Sequence, residues 1–348
     1  MASKMKALVT VGDKTAKVQE IDVPKPGEGE ILVKVHYVAQ NPTDWKGVMS
    51  APAGRTVGCD FAGTVEDNNG SHWRNGQRVA GWVHGQSSEP PRGAFAEYLV
   101  VEASLVYPIP DKTSFQDAAV VPLAFATAVQ AMVGRLKTPE PSKPAKTAFP
   151  FLVNGGTSSV GKYAVQLGKL SGAFVIATGS KANHELLKSL GADATVDYKD
   201  ADWPSQVRKL SHDGLEHAFD CIAEKGTIEA MARAMSPTKG GHVVTLLPVG
   251  GDVRDKIENK KVRLESTIAY TVFGRPLDYP FDNCGNGPTP EDKALWEKYL
   301  AMLPDLLSSG RLKPNRVREL GGIETISDGF REQQEGKVHA EKLVYKIA

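Results

Sequence analysis

The sequence predicts an α/β fold in two parts: a mostly antiparallel β domain, and a doubly wound parallel sheet with helices on both faces. Three observations predict it. Residues 5 to about 118 are rich in short β-type runs broken by turn dipeptides. From residue 149 to 246 such runs alternate with helical stretches, the pattern of parallel crossovers. A glycine-rich turn, Gly155-Gly156-Thr157-Ser158-Ser159-Val160-Gly161, joins an apolar run directly to a helical one.

In chain order, Ile31–Val38, Gly63–Val65, Arg78–Val83 and Phe95–Val101 have strand composition, separated by turn residues such as Asn68-Asn69-Gly70 and Asn75-Gly76. The pattern becomes helical from Ser114 to Leu136, and Lys137–Lys146, with three prolines, reads as a connector. Strands are expected at 149–153, 174–178, 195–197, 217–222 and 242–246, with helices at 160–171, 182–190, 203–210 and 226–235 between them. Helices near 291–308 and 323–335 and a strand at Lys342–Ile347 return to the first domain, which therefore covers 1–118 and 275–348 around a second domain at 119–274.

The glycine turn fits a phosphate-binding loop. A helix N-terminus presents unpaired N–H groups and positive dipole, and glycine lets the backbone come close to a pyrophosphate. Gly156 and Gly161 fit the G-x-G-x-x-G spacing, with Ser158 where the second glycine falls. About 20 residues on, such folds choose their cofactor. Here the second strand leads into Thr178-Gly179-Ser180-Lys181-Ala182-Asn183 instead of an acidic residue. Ser180, Lys181 and Asn183 can donate to a 2′-phosphate, so NADPH is the expected cofactor; a solvated loop with a helix cap at Ser180 or Asn183 is the plainer alternative.

Composition narrows the class. Forty-two basic and 41 acidic residues nearly cancel, which suggests neither nucleic-acid nor membrane partners. No apolar run approaches a bilayer span, and the first ten residues lack a signal-peptide core. Cys59, Cys221 and Cys284 are too few and scattered for a disulfide framework, so a cytoplasmic setting is expected.

Several fragments then carry a resemblance: Gly58-Cys59-Asp60-Phe61-Ala62-Gly63-Thr64-Val65, Gly76-Gln77-Arg78-Val79, Gly93-Ala94-Phe95-Ala96-Glu97-Tyr98, and Leu190-Gly191-Ala192-Asp193 with Asp197-Tyr198. Together they resemble the medium-chain dehydrogenase/reductase superfamily along essentially the whole chain. The resemblance implies a GroES-like first domain and a Rossmann second domain. Zinc members carry a Gly-His-Glu motif and a four-cysteine lobe. This chain has Gly58-Cys59-Asp60 and three cysteines in all, too few ligands for zinc. Cys59 reads as a small buried residue, and the chain as metal-free.

Asn41-Pro42-Thr43-Asp44-Trp45-Lys46 is similar to a segment of zinc-free quinone oxidoreductases, and a lysine at 46 resembles the fungal trans-acting enoyl reductases that serve polyketide synthases, the lovastatin and host-toxin types. That resemblance implies reduction of an activated C=C bond in an enoyl thioester or enone. It places Thr43, Asp44, Trp45 and Lys46 at the nicotinamide end of the cleft, with Lys46 holding ribose, stabilising an enolate or relaying a proton. It also implies that Thr157, Ser158, Ser159 and Val160 contact pyrophosphate, with the Ser158 hydroxyl offered to phosphate. Tyr198 lies near adenosine, Leu246 and Leu247 pass the nicotinamide, and His339 and Ala340 approach from the carboxyl side. Thr127, Ala128, Val129, Gln130, Ala131, Met132, Val133 and Gly134 border the substrate, opposite Tyr270, Thr271, Val272, Phe273 and Gly274. Asp44, Asp60 and Glu97 also read as structural hydrogen-bond partners. The prolines and turn residues of Pro276–Pro288 disfavour edge-strand pairing and favour a monomer. Two other readings stay open: a quinone reductase, and an NADPH-binding protein with little turnover.

Overall fold

The computed structural model describes residues 4–88, 91–224, 226–277 and 288–348. The chain divides into two units, one formed by Met1–Leu123 with Glu297–Ala348, the other by Ala124–Trp296.

The first unit is built on a seven-stranded mixed sheet. Glu30–Ala39 lies at its centre, antiparallel to Asp60–Asp67, Tyr98–Glu102 and Lys342–Lys346. Arg78–Trp82 and Val106–Pro108 extend one side, and Val317–Glu319 runs parallel to Lys342–Lys346 on the other. Buried residues alternate along Glu30–Ala39 because one sheet face meets the core. A separate hairpin pairs Lys4–Gly12 with Thr15–Asp22. Its second strand is half exposed throughout, so little in its composition marks it as a strand.

The second unit holds six parallel strands: Pro150–Asn154, Phe174–Gly179, Ala194–Asp197, His217–Asp220, Gly241–Thr245 and Val262–Ser266. Counted within this sheet their spatial order is 3-2-1-4-5-6. The order reverses between the first and fourth strands, and ligands of such sheets bind beyond the carboxyl ends at that point. The expected crossover helices are present, with Trp203–Leu210 and Thr227–Ala234 packing Trp203, Val207, Ile228 and Met231 against the sheet. The sixth strand and the short helix Gly251–Lys256 were not expected from the sequence.

Two expectations shift. The division falls at Leu123/Ala124 and Trp296/Glu297, later than residues 118 and 275. The second shift follows from Asp292, which the second unit holds through Arg135. Phe115–Arg135 is long and apolar enough to cross a membrane, contrary to the sequence reading, but 83% of its apolar window is buried, as in a core helix. Of the proline-rich segment Pro276–Pro288, residues 278–287, including Cys284, lie outside the described residues, so the monomer argument has no structural counterpart.

Candidate functional site

In the second unit, the strand Pro150–Asn154 ends in Gly155, whose φ of 71° needs glycine. The helix Ser159–Leu170 begins four residues later. A Cβ on Gly156 would lie 2.9 Å from the Leu187 side chain, and one on Gly161 only 2.2 Å from the Gly155 carbonyl oxygen. The turn therefore demands glycine at both positions and leaves a helix N-terminus facing the carboxyl end of the sheet. The Ser158 hydroxyl accepts the Gly161 N–H at 3.0 Å and caps that helix. The hydroxyl accepts in this bond and keeps its own O–H as a donor. Thr157, Ser159 and Val160 stay half-buried around the turn.

Beneath the turn runs a buried polar chain. Gly155 N–H donates to Thr178 Oγ1 at 2.9 Å, Thr178 Oγ1 to Asn154 Oδ1 at 2.6 Å, and Asn154 Nδ2 to Asp220 Oδ1 at 2.8 Å. Asp220 also accepts from Ile222 N–H at 3.1 Å and from the Thr227 hydroxyl at 2.6 Å. Beside it Cys221 is buried, and burial pushes its thiol pKa up.

After the second strand, Ser180 opens a short 3₁₀ turn over Lys181–Asn183, with Lys181 and Ala182 exposed and Asn183 donating to Ser180 Oγ at 3.0 Å. The sequence showed no carboxylate here, yet the third strand supplies one. Asp197 Oδ2 accepts the Lys181 N–H at 3.3 Å. Hydrogen bonding from the Lys199 N–H holds the Asp197 carboxyl below its ordinary range. Tyr198, next along, is 52% exposed. Leu246 and Leu247 follow the fifth strand half-buried, the Leu247 carbonyl accepting from Thr245 at 2.7 Å.

The residues expected to border substrate divide. Gln130 and Thr271 meet in one buried network, where Gln130 Nε2 lies 3.1 Å from Asp292 Oδ2, Thr271 Oγ1 bonds the same carboxylate, and Thr267 bonds Gln130. Arg135 forks onto Asp292 at 2.8 and 2.5 Å. These side chains are bonded to one another. Sequence reasoning missed Asp292 because nothing local links it to residues more than 150 positions earlier. Thr127, Ala128, Val129, Ala131, Met132, Val272 and Phe273 are buried, while Val133, Gly134, Tyr270 and Gly274 keep partial exposure.

In the first unit, Pro42–Val48 forms a short helix in which Asp44 Oδ2 accepts the Asn41 N–H at 2.6 Å. Asp44 is fully enclosed, and burial pushes its carboxyl pKa up to about 7. The Cys59 thiol bonds this carboxyl, and burial raises it well above its ordinary value. Thr43 and Trp45 are half-buried, while Lys46 is exposed with its ammonium 5.7 Å from the Trp45 ring centroid. Asp60 anchors the region. It accepts from Asn41 Nδ2 at 2.8 Å, Leu123 N–H at 2.8 Å and Lys342 Nζ at 2.6 Å, with Lys342 and Asp60 side chains 1% and 0% exposed. Glu97 accepts the Lys6 N–H at 2.7 Å. His339 is exposed, and Ala340 adopts φ 51°, a left-handed conformation unusual for alanine.

Residues 27–111 match the family model of the alcohol dehydrogenase GroES-like domain, and residues 159–289 that of zinc-binding dehydrogenases. A trans-enoyl reductase of Penicillium crustosum is 34% identical over 94% of this chain and 92% of its own. Trans-enoyl reductases of Alternaria alternata (34%, covering 98% of both) and Cochliobolus carbonum (38%, covering 77% and 90%) are similar. The chain belongs to the trans-enoyl reductases of the medium-chain dehydrogenase/reductase superfamily. Solved structures share the superfamily fold: an alcohol dehydrogenase superfamily protein of Novosphingobium aromaticivorans at TM-score 0.80 and 23% identity, covering 99% and 100%, and the CurK enoyl reductase at 0.76 and 20%, covering 99% of both. For a superfamily member, the glycine cradle, helix N-terminus and 3-2-1-4-5-6 order fit a nicotinamide dinucleotide.

Proposed function

We propose that this chain is an NADPH-dependent reductase of activated C=C bonds, acting on an enoyl thioester or enone without a metal. The observation that carries the reaction class is the whole-length similarity to trans-enoyl reductases. When bound, the cofactor supplies a hydride to the β carbon of the alkene. The turn at Gly156–Gly161 holds the pyrophosphate, and Ser180, Lys181 and Asn183 the 2′-phosphate. Lys46, exposed in the structure, stabilises negative charge on the substrate once bound substrate displaces water from around its ammonium, which then acts more strongly than in water.

The metal-free reading is supported by what Cys59 and Asp60 already do. The Cys59 thiol is raised by burial and bonded to Asp44, and Asp60 is claimed by Lys342, Asn41 and Leu123. Among the described residues no three His, Cys, Asp or Glu side chains gather to hold a metal ion. The family supports a carrier-tethered substrate delivered by a polyketide synthase, and a cytoplasmic monomer remains our reading of the sequence. The test is consumption of NADPH against enoyl thioesters, enones and quinones, with and without chelator. Turnover of enoyl thioesters unaffected by chelator is expected. A preference for quinones, or activity lost to chelator and restored by zinc, overturns the respective part.

A further inference from the structure

We propose that Asp220 is a positioning residue for the nucleotide, fixing the glycine turn and Ile222 as facing walls through the buried chain Thr178–Asn154–Asp220–Thr227. The proposal rests on the nucleotide reading of this turn.

The chain crosses the carboxyl ends of three adjacent strands, at the point where strand order reverses. Its polarity is uniform. Gly155 N–H donates to Thr178, the Thr178 hydroxyl to Asn154, and the Asn154 amide to Asp220. Each member has one acceptor or donor left for the next, and the series ends on a group that, ionised, only accepts. Asp220 is fully buried, with its carboxylate claimed by Asn154, Ile222 N–H and Thr227. Such a network is stiff because any loss leaves a buried polar group without a partner.

Both ends of the chain act on walls of the turn. At one end it sets Gly155, whose own Cβ would lie 2.5 Å from the Ile222 side chain. At the other, the Asp220 bond to the Ile222 N–H bends the chain so that Ile222 stays 40% exposed and Ala223 takes φ 56°. A left-handed alanine next to an exposed isoleucine is local strain, held by the surrounding bonds. Asp220 thus holds two segments far apart in sequence within contact of each other.

The test is nucleotide binding at a temperature well below unfolding, by nicotinamide fluorescence, with NADPH and NADH separately. Asp220→Ala should weaken binding roughly tenfold to a hundredfold, the scale of leaving buried polar groups at the turn without their partner. Asp220→Asn should bind within about threefold of the parent, because its carbonyl can accept from Asn154 and Ile222 while its amide donates to a reoriented Thr227 hydroxyl. Thr227→Val should fall between the two. Val207→Ala, a cavity in the helical layer away from the turn, supplies a control of comparable stability loss and should bind normally. Equal binding by Asp220→Ala and Val207→Ala overturns the proposal, as does an Asp220→Asn protein as weak as Asp220→Ala. A parent chain that binds neither nucleotide removes the proposed function and this proposal together; one that prefers NADH removes only the cofactor choice.

Discussion

Asp44 holds its proton more tightly in the native chain than after unfolding. Burial lifts its pKa from 3.8 to about 7, so between those values the native state binds more protons than the unfolded one. Its contribution to stability is complete below the lower value and is lost as pH rises toward the upper. Asp44→Asn removes the titration. In urea melts at pH near 5 and near 8, the parent should lose more stability on going up than the variant, and identical losses would exclude Asp44 as the source. Lys46→Ala should lower kcat/KM by roughly 10²–10³ if the ammonium stabilises the transition state; a fall in NADPH affinity with little change at saturation would assign it to the ribose. Ser180→Asp places a carboxylate at the predicted 2′-phosphate site and should weaken NADPH by about 1.5–3 kcal/mol while sparing NADH, as read by paired titrations. Here the sequence was legible only in part. Ser180 and Lys181 stand in line, but the Asp197 carboxylate that reaches the Lys181 N–H comes from a strand end whose position only the sheet register reveals.

At the scale of the element, the turn and helix at Gly155–Leu170 were readable because their determinants are contiguous: a cap, two obligatory glycines and an amphipathic face. Ser158→Ala removes the bond to the Gly161 N–H and should cost about 1 kcal/mol of stability, measured as a shift in denaturant midpoint with unchanged slope. The Thr15–Asp22 strand escaped notice because it has no fully buried face to impose alternation. The Phe115–Arg135 stretch was readable as helical, but not in its detail. Its apolar residues are spread over a helix broken at Val120–Val121 and ending in a π-turn at Gln130–Arg135, and the network of Gln130, Thr267, Thr271 and Asp292 cannot be inferred from spacing along the chain.

For the molecule as a whole, the alternation of strands and helices gave the doubly wound sheet, and the helices near 291–308 and 323–335 with the final strand, left over after that alternation, were read as returning to the first domain. Besides its strand pairing with Glu30–Ala39, the returning segment is tied by the buried ion pair of Lys342 with Asp60. Lys342→Met leaves the enclosed Asp60 carboxylate without its cation and should destabilise by about 3–5 kcal/mol; adding Asp60→Leu should recover part of the loss, and a single variant as stable as the parent would make the pair dispensable. The same pair has a consequence for synthesis. The partners lie 282 residues apart, so Asp60 leaves the ribosome long before the cation that neutralises it exists. Residues 124–296, by contrast, form their unit from one uninterrupted stretch of chain. A growing chain therefore has all of its middle unit translated before all of its first, against the usual amino-terminal-first order. Until residue 342 is translated, the first unit waits with an open sheet edge and an unmatched charge, and chaperone capture or proteolysis of stalled chains should map to that unit.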